Sequence, residues 1–377
     1  MKWEKKKLCE CTEYITDGDH QPAPKADKGV HFIKIKDIVN NQVSFDAQVY
    51  VPQEYYDNLP MERKPQKEDV LYTVVGSFGI PSYVQTDELF CFERNIALLH
   101  PNKAIEPRFL YYSLKNPAFY KGVEIVANGS AQKLIPLSKL KDLKISVPDK
   151  EAQHRIADIL SVYDNLIENN QKQIKLLEEA AQRIYKEWFV DLRFPGHENT
   201  KIVDGVPEGW SRGLLKELIS VNYGKDHKKA PDDGNIPVYG SGGLMRKCNK
   251  SLFSGEAVLI PRKGSLNNIM YVDETFWTVD TMFYATMKQP HTAVFVYFFV
   301  KAFDMYSMNI GAAVPSMTTK ILDAMDVVIP DKETLEKFDK LTKTYFNKIK
   351  TLQGQNERLK IARDLLLAKL MSGEVEV

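Results

Sequence analysis

DNLIENNQKQIKLLEEAAQRIYKEWFVDLRF, residues 164–194, contains neither glycine nor proline and places apolar side chains at helical intervals in the middle of the chain. Extended back to Glu151 and on to about Val190, the pattern is a heptad. Ile156, Tyr163, Asn170, Leu177 and Ile184 take one seam position; Leu160, Ile167, Ile174, Ala181 and Trp188 take the other. A second such pattern closes the chain. Phe338, Tyr345, Leu352, Leu359 and Leu366 recur every seven residues, with Ile349, Asn356 and Leu370 beside them. Pro148 and Pro330 stand just ahead of the two helix starts. Each helix is expected to run about 35–40 residues, or about 55–60 Å at 1.5 Å per residue. A lone helix with an apolar stripe is unstable in water, so each needs a partner, and the economical partner is the other, running antiparallel. Packing of each helix on its own domain is disfavoured, because such a length exceeds what a domain of about 130 residues covers.

The two helices belong to a chain written twice. Residues 129–151, GSAQKLIPLSKLKDLKISVPDKE, align without gaps on 311–333, GAAVPSMTTKILDAMDVVIPDKE, with Gly129 on Gly311 and Pro148-Asp149-Lys150-Glu151 on Pro330-Asp331-Lys332-Glu333. Upstream, Gly76-Ser77 and Tyr83-Val84 match Gly264-Ser265 and Tyr271-Val272, and Trp3 and Asp19-His20 match Trp210 and Asp226-His227. Outside the helices, roughly over 1–150 and 205–332, the residues alternate strand-like runs with Gly/Pro/Asn turns. FIKIKDI (32–38), VLYTVV (70–75), AVLIP (257–261) and MDVVIP (325–330) read as strands, while PRFLYYSLKN (107–116) and TAVFVYFFVKAF (292–303) read as short buried helices. The expected fold is α+β: two globular domains separated by two long antiparallel helices that form a coiled-coil spacer, related by an internal pseudo-two-fold repeat. The expected boundaries are 1–148 and 196–330 for the domains, 149–195 and 331–377 for the helices.

Composition narrows the function only mildly. The 377 residues are 44% hydrophobic and 27% charged, with a formal net charge of +1. The four cysteines form neither a disulfide framework nor a zinc pattern, and the charged start MKWEKKKLCECTEY lacks the apolar core of a signal peptide, so a cytoplasmic protein is expected. No catalytic constellation emerges. Gly240-Ser241-Gly242-Gly243 lacks dinucleotide-loop spacing and reads as a tight turn. Asn116-Pro117-Ala118-Phe119 is similar to the Asn-Pro-Pro-aromatic signature of adenine-N6 methyltransferases, but alanine replaces the second proline and no glycine-rich cofactor loop accompanies it. It reads as a helix-ending turn. No metal cluster is expected from the scattered histidines.

Basic residues do gather locally, with eight Lys/Arg against four acids between Lys225 and Lys263. Turns that present Lys, Arg, Tyr, Ser and Asn suit phosphate contact and base-edge reading; a merely solvated charged face fits the composition equally. The residues chosen for DNA contact are Lys225, Lys228, Lys229, Tyr239, Ser241, Arg262 and Lys263 in the second domain, with Lys34 and Lys36 in the first. The chosen helix seam is Ile156, Leu160, Ile167, Asn170, Ile174, Leu177 and Ile184 against Tyr345, Ile349, Leu352, Asn356, Leu359 and Leu366. Gly129, Ser130, Gln132 and Gly311 fall where each domain meets its helix.

This organisation resembles the specificity (S) subunit of Type I restriction–modification systems over essentially the whole chain. Gly205-Val206-Pro207-Glu208-Gly209-Trp210 is similar to the segment opening the second target-recognition domain, and Pro148-Asp149-Lys150-Glu151-Ala152-Gln153 to the entry of the conserved helix. Trp188-Phe189-Val190-Asp191-Leu192-Arg193-Phe194 and Leu370-Met371-Ser372-Gly373-Glu374-Val375 also match. Asp17-Gly18-Asp19-His20, Val238-Tyr239-Gly240-Ser241-Gly242-Gly243 and Arg262-Lys263-Gly264 resemble recurring patterns inside recognition domains. The second copy departs at Lys332-Glu333-Thr334-Leu335, where the family often keeps a glutamine. The resemblance implies a non-catalytic reader of a bipartite double-stranded DNA target. Two methyltransferase (M) subunits would supply S-adenosylmethionine and methylate adenine, and restriction (R) subunits would cleave; no cofactor belongs to the chain itself. The rival reading, from another class, is a two-headed protein-binding scaffold.

Overall fold

The computed structural model describes residues 2–127, 133–308 and 316–377, and the side chain of Lys229 is not among the described ones. Gly129, Ser130, Gln132 and Gly311 therefore lie outside the described residues. The chain divides into two units, residues 1–170 with 355–377 and residues 171–354. Each unit thus takes one body together with a segment of both long helices. Among the described residues no helix is long and apolar enough to cross a membrane.

In the first unit a four-stranded antiparallel sheet runs in the order Thr12–Asp17, Ile96–Pro101, Val70–Thr73, Pro81–Tyr83. Beside it Val30–Ile33 pairs in parallel with Phe90–Phe92. The expectation of one strand over 32–38 is corrected. The strand ends at Ile33 and a single 3-10 turn, Ile35–Asp37, follows. The cause is the Asp37 carboxylate, which accepts the Lys34 amide at 2.9 Å and closes the turn. Pro107–Lys115 is helical as expected. Asn116 ends it and at the same time caps the next helix, Pro117–Val126, its Oδ1 accepting from the Ala118 amide at 3.0 Å.

The second unit holds a six-stranded sheet in the order Ile219–Tyr223, Met282–Met287, Phe253–Pro261, Met270–Thr278, Ile236–Gly240, Gly243–Cys248. Gly240 pairs with Gly243 across a two-residue turn at Ser241-Gly242, with Gly243 at φ +112°, where glycine carries no side-chain penalty. Ala293–Lys301 is a buried helix.

The repeat reaches the hydrogen bonds. Glu4–Lys7 pairs with Lys144–Val147 as Ser211–Leu214 pairs with Asp326–Ile329, with Glu4 opposite Val147 and Ser211 opposite Ile329. The Leu8 amide donates to Leu143 O and the Leu215 amide to Met325 O, both at 2.8 Å. The Ile135 amide donates to Val74 O and the Met317 amide to Arg262 O, both at 2.9 Å. Val75–Leu134 and Lys263–Ser316 are matching isolated bridges.

The long helices are Lys150–Tyr185, continued by a π-helical turn Lys186–Val190, and Lys332–Ser372. They pair antiparallel within the first unit, where Asp164 meets Arg363 and Asn170 meets Asn356. Ile156, Leu160, Ile167, Asn170, Ile349, Leu352 and Asn356 are buried, whereas Ile174, Leu177, Ile184, Tyr345, Leu359 and Leu366 are half-buried. The seam is not purely helix on helix. In the first unit Ile156, Leu160, Leu367, Leu370 and Met371 share one core with Phe109, Leu140 and Val147 of the body. The stripe widens there because one helix face meets two surfaces at once. Leu367, outside the heptad, is 1% exposed. In the second unit Tyr185, Trp188 and Phe189 close around Phe338, the Phe189–Phe338 centroids lying 4.8 Å apart.

The departure at Leu335 has a structural reason. Gln153 is buried and ties the helix start to the body: its Oε1 accepts the Glu106 amide at 2.9 Å and its Nε2 donates to Pro148 O at 3.1 Å. Leu335, at the equivalent place, enters the apolar core of the second unit instead.

Candidate nucleic-acid interface

In the second unit one turn gathers most of the chosen residues. The Met282 amide donates to Val279 O at 2.9 Å, leaving Asp280 and Thr281 at the corners. Lys225 attaches through its amide to Thr278 O at 2.9 Å. Arg262 and Lys263 attach through theirs to Thr281 O at 2.8 and 3.2 Å. Tyr239 O accepts the Val279 amide at 2.9 Å. Four stretches far apart in sequence thus meet at one edge, each pinned by backbone and free to vary in side chain.

The side chains differ in availability. Lys225, Lys228 and Lys263 are exposed. Arg262 is half-buried, its guanidinium 5.5 Å from the centre of the Tyr223 ring and donating to Asp280 O at 3.3 Å. Tyr239 joins the turn by its carbonyl, while its hydroxyl donates to Glu274 Oε1 at 2.5 Å. Ser241 lies at the hairpin tip, where its carbonyl accepts from Asn268 Nδ2 at 2.9 Å. A Cβ on Gly264, itself at φ +84°, would meet Ser241 Oγ at 2.7 Å, so both glycine and close approach are required there.

Lys228 sits on the 3-10 turn His227–Lys229, whose first amides are capped by Asp226, with Oδ1 accepting from the Lys228 amide at 3.0 Å. Arg246, one of the eight clustered bases, does not face outward as a free charge. It is half-buried, pairs with Asp232, and donates to the carbonyls of His227 and Ala230, the latter at 2.7 Å. It clamps the loop that carries Lys225 and Lys228. Sequence reading missed this role, and those of Asn268, Tyr223 and Tyr306, whose hydroxyl donates to Gly264 O at 3.1 Å. No local pattern signals any of them, because each acts across the fold.

The first unit repeats the turn. The Ile96 amide donates to Glu93 O at 3.1 Å, with Arg94 and Asn95 at the corners, and the Val74 amide donates to Asn95 O at 2.9 Å. The Glu93 amide donates to Ile33 O at 3.0 Å, and Glu93 Oε1 accepts from the Ile35 amide at 2.7 Å. Lys34 is therefore beside the turn, half-buried, and Lys36 is exposed on the 3-10 turn that follows. An arginine again secures the neighbouring loop: Arg63 Nη1 lies 3.2 Å from Asp19 Oδ1, and the Tyr55 hydroxyl donates to Asp19 Oδ2 at 3.1 Å. Burial alone raises the Asp19 carboxyl, but these donors and the Gln21 amide outweigh it and hold the group below its ordinary range.

Residues 1–179 and 207–360 match the family model described as Type I restriction modification DNA specificity domain. The chain belongs to this family. It is a specificity subunit of a Type I restriction–modification system, the non-catalytic component of such complexes. It is 24% identical to the putative type I restriction enzyme MjaX specificity subunit of Methanocaldococcus jannaschii, over 100% of this chain and 94% of the relative. It is 26% identical to the MjaIX specificity subunit of the same organism, over 74% and 71%. The crystal structure of the Type I S subunit from M. genitalium shares the fold with a TM-score of 0.61, at 20% identity over 98% of this specificity subunit and 96% of that chain.

Proposed function

We propose that this specificity subunit recognises a bipartite double-stranded DNA target, one half through each unit, and directs M and R subunits to it. The observation that carries the reading is the convergence of Lys225, Tyr239, Arg262 and Lys263 on the backbone of Thr278–Met282, with Lys228 on the adjoining loop. Backbone-pinned cations beside a variable turn provide phosphate grip and base-edge access together. Lys34 and Lys36 hold the corresponding place in the first unit. The side chain of Lys229 is assigned with its neighbours from sequence alone.

On this reading the long helices, 36 and 41 residues or about 54 and 62 Å, bound the gap between half-sites at about one and a half turns of DNA. Their outer faces offer the M subunits an attachment surface, which in the first unit includes the exposed Val162, Leu166, Ile361 and Leu365. S-adenosylmethionine and methyl transfer then belong to those partners. Gel-shift on duplex DNA, with and without cognate M subunits, tests the reading. A complex that binds with no sequence preference refutes it and favours the two-headed scaffold.

A further inference from the structure

The repeat places two unlike side chains at the same corner. Arg94 follows Glu93 in the turn closed by Ile96; Asp280 follows Val279 in the turn closed by Met282. The two turns occupy the same place in chain order, between strands that do not pair with each other: Phe90–Phe92 and Ile96–Pro101 in one unit, Met270–Thr278 and Met282–Met287 in the other. Both residues are exposed, and among the described residues neither side chain has a hydrogen-bond or ion-pair partner. The Asp280 carbonyl is used, by Arg262, but its carboxylate is not.

A free carboxylate among Lys225, Arg262 and Lys263 is chemically out of place on a surface whose only task is to grip phosphate, since it repels the backbone those cations attract. The groups on duplex DNA that reward a carboxylate are exocyclic amines at base edges: cytosine N4 above all, and adenine N6. An arginine at the same corner is rewarded most by guanine, whose O6 and N7 accept its two parallel N–H donors. Resting on the reading of the chain as a DNA reader, we infer that Arg94 and Asp280 are specificity-determining residues. Arg94 selects a guanine in the half-site of the first unit, and Asp280 selects a base that presents a major-groove amine in the half-site of the second. The turn shared by the two units is then a socket, and the residue at its first corner is what changes the letter read.

The test is selection from a randomised duplex library by the full chain assembled with its M subunits, followed by competition binding. The wild-type complex is expected to enrich a two-part motif. Arg94→Gln should lose a guanine preference at one position of one part, and Asp280→Ala, which leaves no acceptor, the preference for cytosine or adenine at one position of the other. Discrimination at that position should fall about 5- to 150-fold, with the rest of each motif intact. Lys228→Gln, the control, should weaken binding to all sequences alike. Unchanged motifs in both variants, or a uniform loss like that of the control, overturn the inference. A lowered melting temperature in either variant also overturns it, because the side chain would then be held by the fold. A wild-type complex that enriches no motif overturns the DNA-reader reading and this inference with it.

Discussion

Replacing Lys225, Arg262 and Lys263 together by glutamine separates phosphate grip from sequence reading. Arg262 and Lys263 hold the Val279–Met282 turn through their amides, at 2.8 and 3.2 Å from Thr281 O, and Lys225 holds Thr278, the residue before it, at 2.9 Å; none of these bonds uses a side chain. The substitution therefore removes three charges and leaves the turn in place. Each phosphate contact adds about 0.9 to the slope of log K against log salt, so three lower it by about 2.7. Between 50 and 200 mM salt, the wild-type complex should lose about 40-fold more affinity than the triple variant, the difference that this slope produces over a fourfold change in salt. The assay is fluorescence anisotropy on cognate and non-cognate duplexes across that range, with the chain assembled with M subunits. The loss should be the same for both duplexes. An unchanged salt slope, or a new preferred sequence, would show that these cations do not act on the phosphate backbone.

Four further outcomes are expected. Arg363, 8% exposed, pairs with Asp164, which also accepts the Tyr112 hydroxyl at 2.8 Å and lies 3.7 Å from Lys115 Nζ; Arg363→Met should cost less in urea unfolding than the roughly 3 kcal/mol of a broken pair that strands a buried charge, because Lys115 still partners Asp164. Burial holds the Lys115 ammonium down at about 8, Asp164 partly opposing and Arg363 adding. Between pH 8 and 10 the unfolded chain binds a proton at Lys115 that the folded one lacks, so this group contributes stability that rises across that window by up to about 2.7 kcal/mol, against the opposite contributions of Cys11 and Cys91, which burial raises to about 11 and 12; the stability difference between wild type and Lys115→Met should grow by that amount. Ile361→Glu with Leu365→Glu changes two exposed side chains, so it should leave the melting temperature unchanged and abolish co-purification with M subunits. Inserting four residues, about one helical turn, into both long helices at matching positions should lengthen the gap between half-sites in methylation footprints and leave the half-site sequences unchanged; an unchanged gap refutes the ruler.

Legibility followed the range of the interactions. The long helices, the α+β class and the repeat were readable because heptads, strand-like runs and PDKE are local patterns, and their register is set by neighbours in sequence. The tight turn at Gly240–Gly243 was readable for the same reason. The 32–38 run misled because its alternation is real, while the Asp37 carboxylate that breaks it acts on a backbone amide three residues away. Leu367 escaped the heptad because its burial depends on the body against which the helix lies. Among the basic residues, composition could not separate Arg246, whose guanidinium holds a loop from within, from Lys225 and Lys228 on that same loop, which point their charge outward.

The bonds that recur between the two halves are backbone bonds, and this bears on the proposed reading of DNA by side chains on a fixed frame. Leu8 and Leu215, Val74 and Arg262, and Ile135 and Met317 make equivalent amide–carbonyl contacts although in the last two pairs the side chains differ. A scaffold held in register by main-chain bonds tolerates exchange of the side chains it presents. The loop clamps make the point from the other side: Arg63 and Arg246 secure corresponding loops from unrelated positions in sequence, so each half has found its own way to hold the same piece of chain. Specificity on such a frame is separable from stability. Among the described residues the side chains of Arg94 and Asp280, at the first corners, make no hydrogen bond or ion pair, whereas those of Arg63 and Arg246 do. Substitutions at 94 and 280 should therefore alter sequence preference at little cost in folding, and substitutions at Arg63 and Arg246 should weaken binding and folding together. Parallel melting and selection experiments on the four single alanine variants measure that separation, and equal losses of stability at all four sites would refute it.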